Sequence, residues 1–159
     1  MVHISQALIL IAFSFATAIF HSLLGVERSV WRIATSENAV VQDADLRFVH
    51  HALQGLSSYL PPSNGVTIIV GLTGLILQGV QLHWTWQPSL VLAAWLLGQV
   101  YILTFGRIVQ TVGDLRQTIG SSPIADVRRI VRQLIRQHFN GLLHAATIVV
   151  IELGLIVSK

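Results

Sequence analysis

Four long apolar stretches alternate with polar, arginine-bearing ones along this chain. Residues 4–24 (ISQALILIAFSFATAIFHSLL) contain a single ionisable side chain, His21, near the end. Their length is about the 20 residues that a helix needs to cross a bilayer. Residues 66–84 and 89–109 form a second and a third stretch, joined by His83-Trp84-Thr85-Trp86-Gln87-Pro88. The fourth runs over 138–157, and the helical pattern leading into it begins at Ser122-Pro123, which reads as a cap followed by a first-turn proline. One long helix is expected over 123–157, with 123–137 outside the bilayer. Between the first two stretches, Leu46, Val49, Leu53, Leu56 and Leu60 recur at three-four spacing, which predicts an amphipathic helix over 45–60. That segment is too short and polar to span, so it lies at the interface or over the mouth of the bundle. Pro61-Pro62 is expected to end it, with Ser63-Asn64-Gly65 as the turn. Residues 111–122 read as a polar connector.

The pattern predicts an all-α protein: a four-transmembrane-helix bundle with an interfacial amphipathic helix after the first span, in one domain of 159 residues. Composition agrees. Hydrophobic residues make up 53% and charged residues only 11%, with a mean hydropathy of +0.68. A soluble domain of this size could not hide so much apolar surface. Cysteine is absent, which excludes disulfides, thiolate zinc sites and iron–sulfur clusters. The N-terminus lacks a positive region ahead of its apolar run, so that run is expected to be retained as a span rather than cleaved as a signal peptide.

Charge sets the expected orientation. Arg28, Arg32 and Arg47 fall in the first long connection, and Arg107, Arg116, Arg128, Arg129, Arg132 and Arg136 in or beside the second; Lys159 alone is on the other side. The positive-inside rule then puts both long connections in the cytoplasm and both termini outside it, as in a bacterial inner membrane. Such an edge suits anionic headgroups. Nucleic acid is a poor partner for arginines that flank apolar spans with no soluble remainder.

Polar groups within lipid are costly and raise the question of function. In this orientation His21, His50, His51, His138 and His144 can converge at the cytoplasmic mouth. Arg136, Asn140 and His144 follow at steps of four along one helix face. Small neighbours around His21 and His144 leave room for a flat macrocycle, so the two are candidate axial ligands of haem b, with Arg136 and Asn140 beside its anionic edge. A transition metal held by some of His21, His50, His51, His138 and His144 is the related candidate. Gln78, Gln81, Gln99 and Glu152 are further polar residues expected inside the bundle. Each has a plainer role: an interfacial histidine can simply meet water, a deeper one can bridge helices, and Glu152 can pair with Gln78, Gln81 or His83. No HxxxH, HExxH or carboxylate–x–x–His motif occurs, and adjacent His50 and His51 must point to different sides of a helix. Ser5, Ser14, Ser22, Ser57 and Ser58 lack a nucleophile elbow or lysine partner, and no phosphate loop is present.

From Pro61 onward the chain resembles small four-helix bacterial membrane families. The resemblance rests on the proline break, VTIIVGLTGLIL, a Trp-bearing turn, GRIVQTVGDLR, and RQHFNGLLHAATIVVIELGLIV, about two thirds of the chain. Those families include uncharacterised ones, the haem-binding, oxygen-independent protoporphyrinogen IX oxidase family and an anthrone-oxygenase-like family. The oxidase family has a Lys/aromatic–His signature early in its first span; here His3 precedes the span and His21 ends it, so no catalytic residue carries over. The expected function is a redox-linked membrane protein holding haem or a metal near the cytoplasmic mouth, an oxidoreductase if an enzyme. The alternatives are an accessory or structural subunit of a larger membrane complex or homo-oligomer, and a cofactor-free membrane oxygenase or small-molecule carrier.

Overall fold

The computed structural model describes residues 4–36, 38–84, 87–88, 90–92, 94–96, 98, 107–119 and 121–157. The described elements are all helical. In order they are α1 (Ile4–Val26), a 3₁₀ turn (Arg28–Val30), α2 (Arg32–Thr35), α3 (Asp43–Leu56), α4 (Leu60–Gln81), α5 (Arg107–Gln117) and α6 (Ile124–Val157). Gln87, Pro88 and the described residues among 90–98 are also helical. Gln99, Tyr101, His3 and Lys159 lie outside the described residues.

Two described helices, α1 and α6, are long and apolar enough to cross a membrane; residues 65–81 of α4 form a shorter apolar segment. Only 28% of the most apolar window of α1 is buried, and 22% of that of α6. A helix at the centre of a water-soluble core would be apolar and covered on all sides. Here large apolar side chains such as Ile11, Phe15, Ile69, Leu143 and Val150 lie on the outside.

The core falls into two layers. In the first, apolar layer, Ile9, Ala12, Phe13 and Ala16 of α1 meet Leu75 of α4, Val91, Trp95, and Ala145 and Ile148 of α6. Close approach depends on glycine. A Cβ on Gly74 would come within 2.8 Å of Ile9 and 3.0 Å of the Ser5 carbonyl. The backbones of α1 and α4 are therefore near contact, the small-residue mode of packing for helices in lipid.

The second layer caps one end. Leu46, Val49 and Leu53 of α3 pack with Leu23, Val30, Ile33, Leu115 of α5, and Val127, Ile130, Val131, Leu134 and Ile135 of α6. The expected stripe on α3 is thus real, and it faces protein: α3 lies over the bundle mouth. Arginines and a glutamine fasten the connections. Arg47 donates to the Ser122 carbonyl (3.2 Å), Arg128 to Ala39 (2.9 Å) and Arg136 to Ala34 (3.0 Å). Gln54 donates to the carbonyls of Leu115 (2.9 Å) and Thr118 (2.7 Å).

Three boundaries differ from the sequence expectation. Pro61-Pro62 opens α4 instead of closing α3. First-turn N–H groups have no intrahelical acceptor, so a proline there loses nothing. The turn falls earlier, where the Ser57 N–H bonds to the Leu53 carbonyl (2.9 Å) and the Ser57 hydroxyl to that of Gln54 (2.8 Å). The supposed connector 111–122 begins inside α5, whose Leu115 enters the cap. Ile108, Val112 and Leu115 recur at steps of four and three, a helical pattern that a reading of 111–122 by its polarity passes over. Finally, α4 closes through His83 and Trp84, both at positive φ (49° and 54°), and the Trp84 N–H reaches the Gly79 carbonyl at 2.7 Å. The Trp84 ring covers Gly79, where a Cβ would meet it at 2.5 Å.

Candidate functional site

The helix α6 carries one buried seam through both layers. Val127, Val131, Leu134, His138, Gly141, Ala145, Ile148 and Glu152 are all buried, at alternating steps of four and three. That is the repeat of a helix packed along its whole length against neighbours nearly parallel to it. Two of the eight positions are ionisable, and Gly141, Ala145 and Ile148 separate them.

Near the boundary between the layers, His138 Nδ1 is 2.7 Å from Glu27 Oε1. Glu27 follows the last residue of α1 and is 0% exposed; His138 is 8% exposed. The Phe20 ring lies 6.3 Å from the imidazole, centre to centre. The second carboxylate oxygen, Oε2, has no hydrogen-bond partner among the described residues. Fourteen residues further along α6, roughly 21 Å at helical rise, Glu152 is again 0% exposed, and its Oε1 accepts from Gln78 Nε2 of α4 at 2.7 Å. Beside that pair the Ser5 hydroxyl of α1 donates to Gln81 Oε1 at 2.7 Å. Polar groups thus join α1 to α6 at one end and α4 to both α6 and α1 at the other.

The expected histidine cluster is distributed differently. His21 and His51 are exposed, whereas His50 and His138 are buried and His144 is half-buried. His50 is on the buried face of α3 at 4% exposure, with its Nε2 lacking a partner among the described residues. Burial first, then the charges of His51 and Arg47, hold its pKa below the ordinary histidine value. The His144 Nδ1 is 2.7 Å from the Asn140 carbonyl of its own helix, and its ring packs on Gly98. The residue that α1 sends against Gly141 is Phe20, whose ring would lie 2.5 Å from a Cβ there. The face formed by Arg136, Asn140 and His144 runs beside the buried seam. Arg136 is exposed and bound to the Ala34 carbonyl. Among the described residues no group of three or more His, Asp or Glu side chains is placed to hold a metal ion.

Of the expected polar interior, Gln78 and Glu152 come together, and Gln81 meets Ser5. Glu27 and Gln6 are buried as well, although hydropathy alone places Glu27 just past the end of the first apolar stretch. A three-four count from inside α1 would have found both. Gln6, Ile9, Phe13, Ala16, Phe20, Leu23 and Glu27 follow at alternating steps of three and four. All but the half-buried Phe20 are buried.

Comparison of the chain with family models, with curated proteins and with solved structures gives no match.

Proposed function

We propose that this chain is a four-span helical protein of a bacterial inner membrane, with both long connections cytoplasmic, and that it serves as an accessory subunit of a larger membrane complex. One observation carries the reading: polar side chains within the apolar helices join one helix to another. Glu27 pairs with His138, Gln78 with Glu152 and Ser5 with Gln81. In lipid such pairs act as interhelical fasteners that fix register. The wide apolar outer faces of α4 and α6 offer surface to lipid and to a partner's spans. Gentle extraction followed by a native mass measurement tests the assignment. The expected mass is larger than, and not a whole multiple of, the 17.5 kDa chain. A monodisperse particle of this chain alone would rule the role out.

The orientation has its own test, aided by the absence of native cysteine. In intact cells, cysteines introduced at Ser36 and Ser121 should resist an impermeant thiol reagent, and one at Gln87 should react. The reverse pattern would invert the topology.

A second reading, an oxidoreductase holding haem b or a transition metal, draws on His144. A backbone carbonyl on Nδ1 is the outer contact that fixes the tautomer and orientation of a metal-bound imidazole. This reading requires a Soret band or stoichiometric metal in purified protein, lost in His144→Ala; a colourless, metal-free protein would sink it.

A further inference from the structure

Where α1 ends against α3, the surface opens into a groove of about 660 Å³ lined by Gly25, Val26, Arg28, Ser29, Phe48 and Ala52. Its two walls differ in chemistry. Arg28 is exposed, and among the described residues its guanidinium has no hydrogen-bond or ion-pair partner. Arg47, Arg116, Arg128 and Arg136, by contrast, all bond to backbone carbonyls of the cap. Phe48 is 69% exposed although it belongs to a helix whose buried stripe is Leu46, Val49, His50 and Leu53. An exposed aromatic ring and an uncommitted guanidinium thus face one groove at the end of a candidate membrane span. The groove floor is open: a Cβ added at Gly25 would meet nothing within 4 Å.

We propose that this groove binds one anionic phospholipid, with Arg28 taking the phosphate and Val26, Phe48 and Ala52 lying along the first part of an acyl chain. The assignment rests on the reading of α1 as a membrane span, which puts its end at headgroup depth. Charge complementarity selects the occupant. A planar guanidinium donates two parallel hydrogen bonds to phosphate oxygens, and the neighbouring apolar wall suits an acyl chain, which a free inorganic anion lacks. A zwitterionic lipid offers the same phosphate, but its ammonium group would lie beside the Arg28 guanidinium and be repelled by it.

The test uses the full chain in mild detergent. Equal amounts of phosphatidylglycerol and phosphatidylcholine are added, and retained lipid is counted by native mass spectrometry. One phosphatidylglycerol per chain is expected, preferred roughly fivefold over phosphatidylcholine. Arg28→Gln should abolish the preference. Gly25→Leu, whose Cβ meets nothing within 4 Å, places an apolar side chain in the groove and should reduce retention of the lipid. Arg32→Gln, outside the groove, should leave both unchanged. Equal loss in Arg28→Gln and Arg32→Gln, or no preference in the unaltered chain, would overturn the site in favour of diffuse charge attraction. Alkaline carbonate extraction of membranes, run in parallel, separates the two claims. A carbonate-resistant chain without lipid preference removes the lipid site alone, whereas a chain released by carbonate removes the spanning reading and the site with it.

Discussion

Glu27 and His138 show how much depends on a single contact at the residue scale. Each is buried, and each is the other's hydrogen-bond partner. Removing one member of a buried hydrogen-bonded pair leaves the other's polar group unsatisfied, at a cost of about 1–3 kcal/mol. Glu27→Leu should therefore lower the thermal midpoint in detergent far more than Glu27→Gln, which keeps a hydrogen-bond acceptor at the same place. Equal effects of the two would mean that the contact contributes little. His50 gives a prediction in pH. Its folded-state pKa lies below the ordinary value, so as pH falls the unfolded chain takes up the proton first. Stability from this site is complete above the unfolded value of about 6.5 and declines as pH drops below it. Unfolding midpoints between pH 7.5 and 5 should fall less steeply in His50→Gln than in the unaltered chain. These residues were legible only in part: seven histidines stand out in a count, but no local signal says which of His50 and His51 turns inward.

At the scale of the element, the helices are joined by seams of fixed period. Both α1 and α6 keep a three-four alternation: Gln6 and Glu27 bound the seam of α1, and His138 and Glu152 bracket Gly141, Ala145 and Ile148 on α6. Glycines on α4 are the complement, since they let α1 come close. Gly74→Ala must push against the Ile9 side chain and the Ser5 carbonyl, and is expected to cost about 1–3 kcal/mol. Gly113→Ala in α5 meets nothing within 4 Å, and should stabilise by roughly 0.5–1 kcal/mol through helix propensity alone. A pair of melting curves decides it; stabilisation by both would mean that α1 and α4 do not approach as described. Existence and type of the long helices follow from hydropathy. Their ends do not, as Pro61-Pro62 shows, because the same dipeptide can close one helix or open the next.

For the whole molecule, the division into an apolar helix layer and a cap is the main structural result. The cap is a small folded layer of its own, built by α3, α5 and the first half of α6, with arginines holding its connections. Leu53 lies at its centre at 2% exposure. Leu53→Ala should cost about 2–5 kcal/mol, and in reconstituted protein it should open the connections at residues 36–42 and 118–123 to protease while fragments containing the apolar helices persist. Uniform degradation of the chain would show that the two layers unfold together.

The amino-acid sequence by itself determined the helical class, the two long apolar helices, the amphipathic stripe of α3 and the start of α6. These follow from composition, period and capping, which are properties of neighbouring residues. Only the tertiary structure decided which side of each stripe meets protein. It turned α3 onto α6, gave arginines to backbone carbonyls, brought Gln78 to Glu152 and set Glu27 on His138. The physical reason is distance along the chain. Glu27 and His138 are 111 residues apart, so their pairing depends on how α1 and α6 pack, a choice made jointly by glycines, buried rings and polar groups on several helices.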